Sequence, residues 1–138
     1  MILTGRSITK GIGIGELLKT DAPISFLGCV DPQTGIIIDK SHPLYGKSIA
    51  GKVLAFPHGK GSTVGSYVLY ALSKNNTAPK AIINIECETI IATGAVIAGI
   101  PVVDQLNGNL PDNGTEVIVN GTDGTISFDG FRSLLHTK

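Results

Sequence analysis

The fold of this 138-residue chain is decided by one stretch, Phe56-Pro57-His58-Gly59-Lys60-Gly61-Ser62-Thr63-Val64-Gly65-Ser66. The four apolar residues 53–56 predict a short buried strand that ends at Pro57. After the loop, apolar residues recur at helical spacing, which predicts a helix over residues 62–72 with Ser62 at its start. The stretch therefore predicts a strand, a glycine-rich loop and a helix N-terminus.

The residue types of this loop suit a small anion. Gly59 and Gly61 let the backbone turn tightly and approach a ligand closely. Ser62 or Thr63 can cap the helix, and the free N–H groups of its first turn favour a carboxylate or phosphate. A capped turn without any ligand explains the same pattern. A nucleotide P-loop is excluded, because Lys60 is followed by glycine and not by serine or threonine.

Composition narrows the classes of function. The chain has 42% apolar and 16% charged residues with no net charge, which predicts one globular domain over residues 1–138 and no nucleic-acid partner. No apolar run is long enough for a membrane span, so we expect no membrane partner and a cytoplasmic location. Cys29 and Cys87 are too few and too far apart for a zinc or iron–sulfur site, so no metal is assigned to this chain.

The sequence patterns in the rest of the chain predict an α/β fold. Apolar and β-branched runs predict strands at 6–10, 12–18, 24–27, 36–38, 81–85 and 100–103, a hairpin of 116–119 with 125–128, and a second helix over 88–98. The run 36–38 is expected to be buried on both faces. The order strand, helix, strand in the middle of the chain implies parallel pairing with right-handed crossovers. A β-layer combined with a β/α-layer fits these elements.

At residues 59–63 the run Gly-Lys-Gly-Ser-Thr resembles the serine loop of the aconitase swivelling domain, and the chain is most similar to the aconitase X group. The supporting motifs span nearly the whole chain: Gly5-Arg6 with Gly15-Glu16, 23–26, Val30-Asp31-Pro32 with Thr34-Gly35, 48–54, Ala78-Pro79, and 94–101 with Asp104.

The resemblance implies a swivelling β/β/α fold of mixed sheets with helices. It implies a hydro-lyase that removes water from (R)-5-phosphomevalonate in a mevalonate route to isoprenoids. A large subunit would carry a [4Fe–4S] cluster and pair with this chain as a heterodimer. Ser62 would be the proton acceptor, and Gly59, Lys60, Gly61 and Thr63 would bind the small anionic hydroxy acid.

The chain departs from the family pattern at two positions. Other aconitases follow the serine pair with an arginine that grips a substrate carboxylate, and Val64 stands there instead. That carboxylate must then be held by backbone N–H groups, by Lys60 or by the partner chain. Cys29 stands where the family often has a glycine, and the roles of Cys29, His58 and Glu86 stay open.

Three alternatives remain at this point. A phosphohistidine swivelling domain would use His58 as a phosphoryl carrier, although His58 lies beside Pro57 and outside the expected Thr-Ser-His setting. A hydroxyproline dehydratase subunit would share the fold and the serine. A non-catalytic module would use the loop only to hold an anionic metabolite.

Overall fold

The structure is a computed structural model, and it describes residues 1–128. Its elements in chain order are β1 (Ile2–Thr4), β2 (Arg6–Thr9), β3 (Ile12–Lys19), α1 (Phe26–Cys29), β4 (Val53–Phe56), α2 (Gly65–Lys74), β5 (Ala81–Asn84), α3 (Thr89–Ala98), β6 (Val102–Asp104), β7 (Glu116–Asn120) and β8 (Thr125–Ser127). The predicted α/β class with a mixed sheet is confirmed.

The strands form one eight-stranded sheet in the order β1-β8-β7-β3-β4-β5-β6-β2. Strands β3, β4, β5 and β6 run parallel, whereas the β1-β8-β7-β3 side and the β2–β6 pair are antiparallel. Strands β1 and β2 stand at opposite ends of this order, yet only Gly5 joins them. The sheet must therefore curl until its two edges nearly meet.

Alternate side chains of the central strands lie in two separate hydrophobic cores, as the two-residue period of a strand requires. Val53 and Ala55 of β4 lie in the core enclosed by the curled sheet, which also holds Ile126 of β8. Leu54 and Phe56 point to the other face, where α2 and α3 cover them. The short central strands are buried along their whole length for this reason.

Helices α2 and α3 connect the parallel strands, as the sequence predicts. The α3 prediction is accurate: Glu88 caps its start, and Gly99 ends it in the left-handed conformation at φ 72°. The hairpin of β7 and β8 is confirmed too. None of the helices in residues 1–128 has the length and apolar content needed to cross a membrane.

Three local predictions are wrong. Helix α2 begins at Gly65, three residues after Ser62, because residues 62–64 form a turn that leads into the helix. The predicted strand 24–27 reduces to one bridge between Ile24 and Gly59, and the chain then enters the short helical turn α1. In the run 36–38 only Ile37 is buried, because this segment forms only isolated β-bridges and lies outside the sheet.

Candidate functional site

The serine loop lies at the carboxyl edge of the parallel strands, where ligands bind in α/β sheets. It follows β4 directly, and the segment after β5 packs against it. The carbonyl of Pro57 accepts hydrogen bonds from the backbone N–H groups of Ile85 (3.0 Å) and Glu86 (3.2 Å). The ends of two neighbouring strands are thereby joined into one surface.

A second contact fixes the other side of the loop. The N–H of Lys60 donates to the Ile24 carbonyl at 3.1 Å, and the N–H of Ile24 donates to the His58 carbonyl at 3.3 Å. Gly61 has a φ of 92°, and a Cβ placed there would lie 2.5 Å from Ser25 Oγ. A side chain at Gly61 would thus be strained and would collide, so the loop needs glycine at this position.

Ser62 is exposed at the tip of this loop. Its Oγ accepts a hydrogen bond from the backbone N–H of Val64 at 3.1 Å, and its carbonyl accepts one from Gly65 at 3.0 Å. The hydroxyl oxygen therefore already faces the N–H groups that open α2. Thr63 is also exposed, and its hydroxyl has no hydrogen bond within residues 1–128, so the predicted capping role for Thr63 is wrong.

Lys60 brings a positive charge to the same edge. Its side chain is exposed and acts electrostatically on Asp39 and Cys29. Hydrogen bonds from Ser41 lower the pKa of Asp39, with smaller effects from His42 and Lys60. Burial raises the pKa of the Cys29 thiol to about 11, so Cys29 is a neutral core residue.

Gly59 connects the loop to the start of α3. A Cβ on Gly59 would lie 2.6 Å from Glu88 Oε1 and 2.6 Å from Ile91 Cγ1. Glu88 caps α3, since its carboxylate accepts the N–H groups of Ile90 at 3.0 Å and Ile91 at 2.8 Å. The sequence interpretation considered Glu86 and passed over Glu88, although an acidic residue just before Thr-Ile-Ile is a capping signal.

The same edge carries a polar network that sequence reasoning did not assign to the site. Asp104 ends β6 and is completely buried. Arg6 donates two hydrogen bonds to the Asp104 carboxylate, from Nε at 2.9 Å and from Nη2 at 2.7 Å. The N–H of Cys87 donates a third at 2.7 Å. Arg6 and Asp104 entered the sequence analysis only as parts of the family resemblance. A carboxylate directly after the apolar pair Val102-Val103 is the signal that could have pointed to Asp104.

The remaining candidates are accounted for as follows. His58 is exposed, and its Nδ1 donates to the Gly59 carbonyl at 2.8 Å. Burial raises the pKa of Cys87 to about 12, which makes this thiol unreactive. Within residues 1–128 no three His, Cys, Asp or Glu side chains come together in a way that could hold a metal ion.

A cleft of about 380 Å³ lies at the opposite edge of the parallel strands. Its walls include Gly11, Gly51, Ser73, Lys80 and Gly99, and none of its lining residues belongs to the serine loop. This cleft and the predicted site residues are therefore at different ends of the domain.

Comparison with known proteins gives a consistent answer. The family model of the aconitase X swivel domain matches residues 2–128. The chain is 57% identical to the phosphomevalonate dehydratase small subunit of Methanosarcina mazei, over 88% of this chain and 87% of that one. It is 56% identical to the protein of the same name from Thermococcus onnurineus, over 94% of this chain and 99% of that one.

A solved structure agrees with these relatives. The crystal structure of Thermococcus kodakaraensis aconitase X in its holo-form superimposes with a TM-score of 0.89 and 52% sequence identity. The match covers 94% of this chain and 98% of that one.

Proposed function

Because the chain belongs to the aconitase X swivel domain family, we propose that it is the small subunit of a phosphomevalonate dehydratase. The reaction is a hydro-lyase reaction, the loss of water from (R)-5-phosphomevalonate to give trans-anhydromevalonate 5-phosphate. The family finding and the relatives favour this function over a phosphoryl carrier that uses His58.

Dehydration needs a proton acceptor for the carbon next to the carboxylate. In the proposed step that carbon's proton passes to Ser62 Oγ, the C–H electron pair forms the double bond, and the hydroxyl leaves the adjacent carbon. A serine hydroxyl is a weak base at neutral pH, so the alkoxide form must be stabilised. The observation that carries the proposal is the hydrogen bond that Ser62 Oγ accepts from the Val64 N–H at the opening of α2.

The other loop residues have supporting roles in this proposal. Lys60 would add positive charge beside the alkoxide and the substrate carboxylate. Gly59 and Gly61 would let the backbone approach the substrate, and Thr63, with its unengaged hydroxyl, would hydrogen-bond to it. Residues 60–63 are exposed in one turn and Gly59 is buried at its base, so a single anionic substrate can contact the exposed part of the loop.

The iron–sulfur cluster implied by the family does not fit this chain. The full sequence has only two cysteines, Cys29 and Cys87, which are too few to hold such a cluster, since iron–sulfur clusters are held by about four cysteine thiolates. We therefore place the cluster on a large subunit, and no step of this chain's chemistry is derived from it.

The surroundings of the serine loop support docking of that large subunit. Three apolar side chains are exposed around the loop: Leu27 at 48%, Val64 at 44% and Ile85 at 72%. Leu27 lies two residues after Ser25, whose Oγ is 2.5 Å from the position that a Cβ on Gly61 would take. The N–H of Ile85 donates a hydrogen bond to the Pro57 carbonyl at the base of the loop. Apolar side chains around a polar site are typical of an interface that closes over it.

The test is reconstitution. The chain is expressed with and without its candidate large subunit, and each preparation is given 5-phosphomevalonate, unphosphorylated mevalonate or 3-hydroxyproline. We expect turnover of 5-phosphomevalonate by the complex alone, with iron–sulfur absorbance that follows the large subunit. Turnover by the isolated, iron-free chain, or a complex that dehydrates hydroxyproline instead, would contradict the proposal.

A further inference from the structure

We propose that Arg6 binds an oxyanion group of the substrate, the one farther from Ser62, and that Asp104 is the positioning residue that holds it there. This inference rests on the proposed function, whose substrate carries an anionic group at each end. The arginine it assigns lies on β2, whereas the position after the serine pair lies in the turn before α2 and is Val64 in this chain.

The first argument is the geometry of the guanidinium. Arg6 uses Nε and one N–H of Nη2 to hold Asp104, and no residue within 1–128 accepts a hydrogen bond from Nη1. The end of the guanidinium formed by Nη1 and Nη2 is therefore free. That end is a two-pronged donor whose geometry matches a carboxylate or a phosphate.

The second argument is the difference in exposure between the two partners. The Arg6 side chain is 51% exposed, whereas the Asp104 side chain is at 0%. A buried carboxylate with two hydrogen bonds from one arginine fixes the direction of that arginine. Arg6 is thus a rigid cation with its free end toward solvent, which lowers the entropy cost of binding an anion.

The third argument is the position of Arg6 relative to the serine loop. Arg6 pairs with Asp104, Asp104 with Asn84, and Asn84 with Phe56, so the four residues form one row across four strands. Neighbouring strands are about 4.8 Å apart, which places β6, where the guanidinium lies, roughly 10 Å from β4. The serine loop continues directly from Phe56, and a small metabolite with two anionic ends can span such a gap.

The fourth argument is an unpaired polar atom in the same row. Asn84 is 2% exposed, and its Nδ2 donates to the Phe56 carbonyl at 3.0 Å. Its Oδ1 has no hydrogen-bond partner among residues 1–128, which is costly for a buried acceptor. The Phe56 contact fixes the orientation of the amide, so Oδ1 is a vacant acceptor between Asp104 and the base of the serine loop. A substrate hydroxyl or a bound water would satisfy it.

One residue opposes the proposed anion. Glu86 is exposed and close enough to raise the pKa of Arg6 slightly, behind the larger effects of Asp104, but it forms no ion pair with Arg6 within residues 1–128. A substrate oxyanion must therefore approach against the charge of Glu86. Removing the charge of Glu86 should therefore lower KM, the opposite of the effect expected for removing Arg6.

The experiment uses the reconstituted complex. In Arg6→Gln/Asp104→Asn the cation is removed without leaving a buried carboxylate unpaired. If Arg6 binds substrate, KM for 5-phosphomevalonate should rise about 10- to 100-fold, as expected for a lost charge-assisted contact, while kcat changes less than about threefold. Glu86→Gln should lower KM. The matched control, Lys52→Gln/Glu16→Gln, removes the ion pair of 3.3 Å at the start of β4 and should leave KM unchanged.

Inorganic phosphate separates the two possible oxyanions. A rise in KM together with loss of thermal protection by phosphate assigns Arg6 to the phosphate group of the substrate. A rise in KM with unchanged phosphate protection assigns it to the carboxylate. A double variant that assembles and keeps the wild-type KM overturns the proposal, since Arg6 and Asp104 would then be only a structural pair.

Two further readouts keep the test decisive. If the double variant does not assemble, Arg6→Lys keeps the charge and loses the two-pronged geometry, and unchanged KM in both Arg6→Lys and Glu86→Gln overturns the proposal. If the wild-type complex does not turn over 5-phosphomevalonate, the proposed function fails. Loss of phosphate protection in the Arg6 variants would still support an oxyanion site.

Discussion

The two ends of the parallel strands differ in what they offer a ligand. At the carboxyl end, α2 and α3 begin, the serine loop and the Arg6–Asp104 pair are presented, and the surface is open. At the other end both helices finish, and a cleft of about 380 Å³ is lined mainly by small and apolar residues, with Lys80 as the only charged lining residue among residues 1–128. The cleft is thus at the end opposite the serine loop and the Arg6–Asp104 pair.

Electrostatics explains this separation better than shape does. Helix N-termini carry partial positive charge and C-termini partial negative charge, so an anionic substrate is favoured at the carboxyl end and disfavoured at the cleft. An open half-site also suits a chain whose partner supplies the opposite wall. A half-site of this kind is therefore recognised by its charges and its unpaired hydrogen-bond donors rather than by the volume of a cavity.

The largest expected effect is on Ser62. In the reconstituted complex, Ser62→Ala should lower kcat by about two to four orders of magnitude, the usual range for losing a positioned base. KM should change far less, because the backbone N–H groups of the loop remain. Steady-state kinetics with 5-phosphomevalonate measures both.

Two other hydroxyl side chains, of Ser73 and Thr63, provide comparisons for this experiment. Ser73→Ala removes a hydroxyl that donates to the Ala98 carbonyl at 2.9 Å in the wall of the opposite cleft, and it should leave kcat unchanged. Thr63→Ala should raise KM modestly and change kcat little, because it would lose one hydrogen bond to the substrate and no helix cap. A Ser62→Ala complex with full activity would remove the catalytic distinction between the two ends.

The next effect concerns thiol reactivity near the serine loop. Burial raises the pKa of Cys29 to about 11 from 9.0, so at pH 8 its thiolate fraction is about 100-fold smaller than that of an ordinary thiol. Iodoacetamide labelling followed by mass spectrometry should be slower than that of N-acetylcysteine by at least this factor. Labelling of the native chain as fast as that of the urea-unfolded chain would show that solvent enters the core at this end.

A smaller effect is expected where the loop meets α3. Gly59→Ala places a methyl group 2.6 Å from Glu88 Oε1 and should destabilise the chain by about 1–3 kcal/mol through overpacking. Gly99→Ala is the control at the opposite end, with open space around it and only the cost of its φ of 72°. Urea unfolding compares their stabilities. If Gly59→Ala lowers the activity of the complex and Gly99→Ala does not, activity depends on the position of the loop at the carboxyl end.

The smallest expected effect is loss of the α3 cap. Glu88→Ala removes the acceptor of two backbone N–H groups and should cost about 0.5–2 kcal/mol, whereas Glu88→Gln keeps an acceptor oxygen and should cost less. Urea midpoints of the two variants measure the difference. Equal midpoints for Glu88→Ala and the wild type would mean that this end of α3 does not depend on its cap.

How much the sequence predicts depends on the range of the interactions involved. Local signals suffice for α3, for the β7–β8 hairpin and for the parallel central strands, because Gly99 and the apolar runs determine them nearby. The excursions at 24–27 and 36–38 were misassigned, since their pairing partners, such as Gly59 and Ser48, are distant in sequence. The helix start was misplaced because the turn at 62–64 is made by backbone hydrogen bonds that residue types do not reveal.

The site shows the same limit. The glycine-rich loop and Ser62 are visible in one short stretch, so they were found. Arg6 and Asp104 are 98 residues apart, and only the pairing of β2 with β6 brings them together. Asn84 gives no sequence signal at all, because an unpaired amide oxygen is defined by its surroundings.

The single-residue link between β1 and β2 has a consequence for how the protein is made. Strand β1 pairs with β8, and β2 pairs with β6, so neither finds its partner until at least about a hundred further residues have been synthesised. Contacts this remote in sequence slow folding and leave unpaired strand edges exposed meanwhile. Strand β2 must therefore stay unpaired until β6 is made and β1 until the β7–β8 hairpin is made, and that interval is when the chain is most open to capture by chaperones or by its own neighbours.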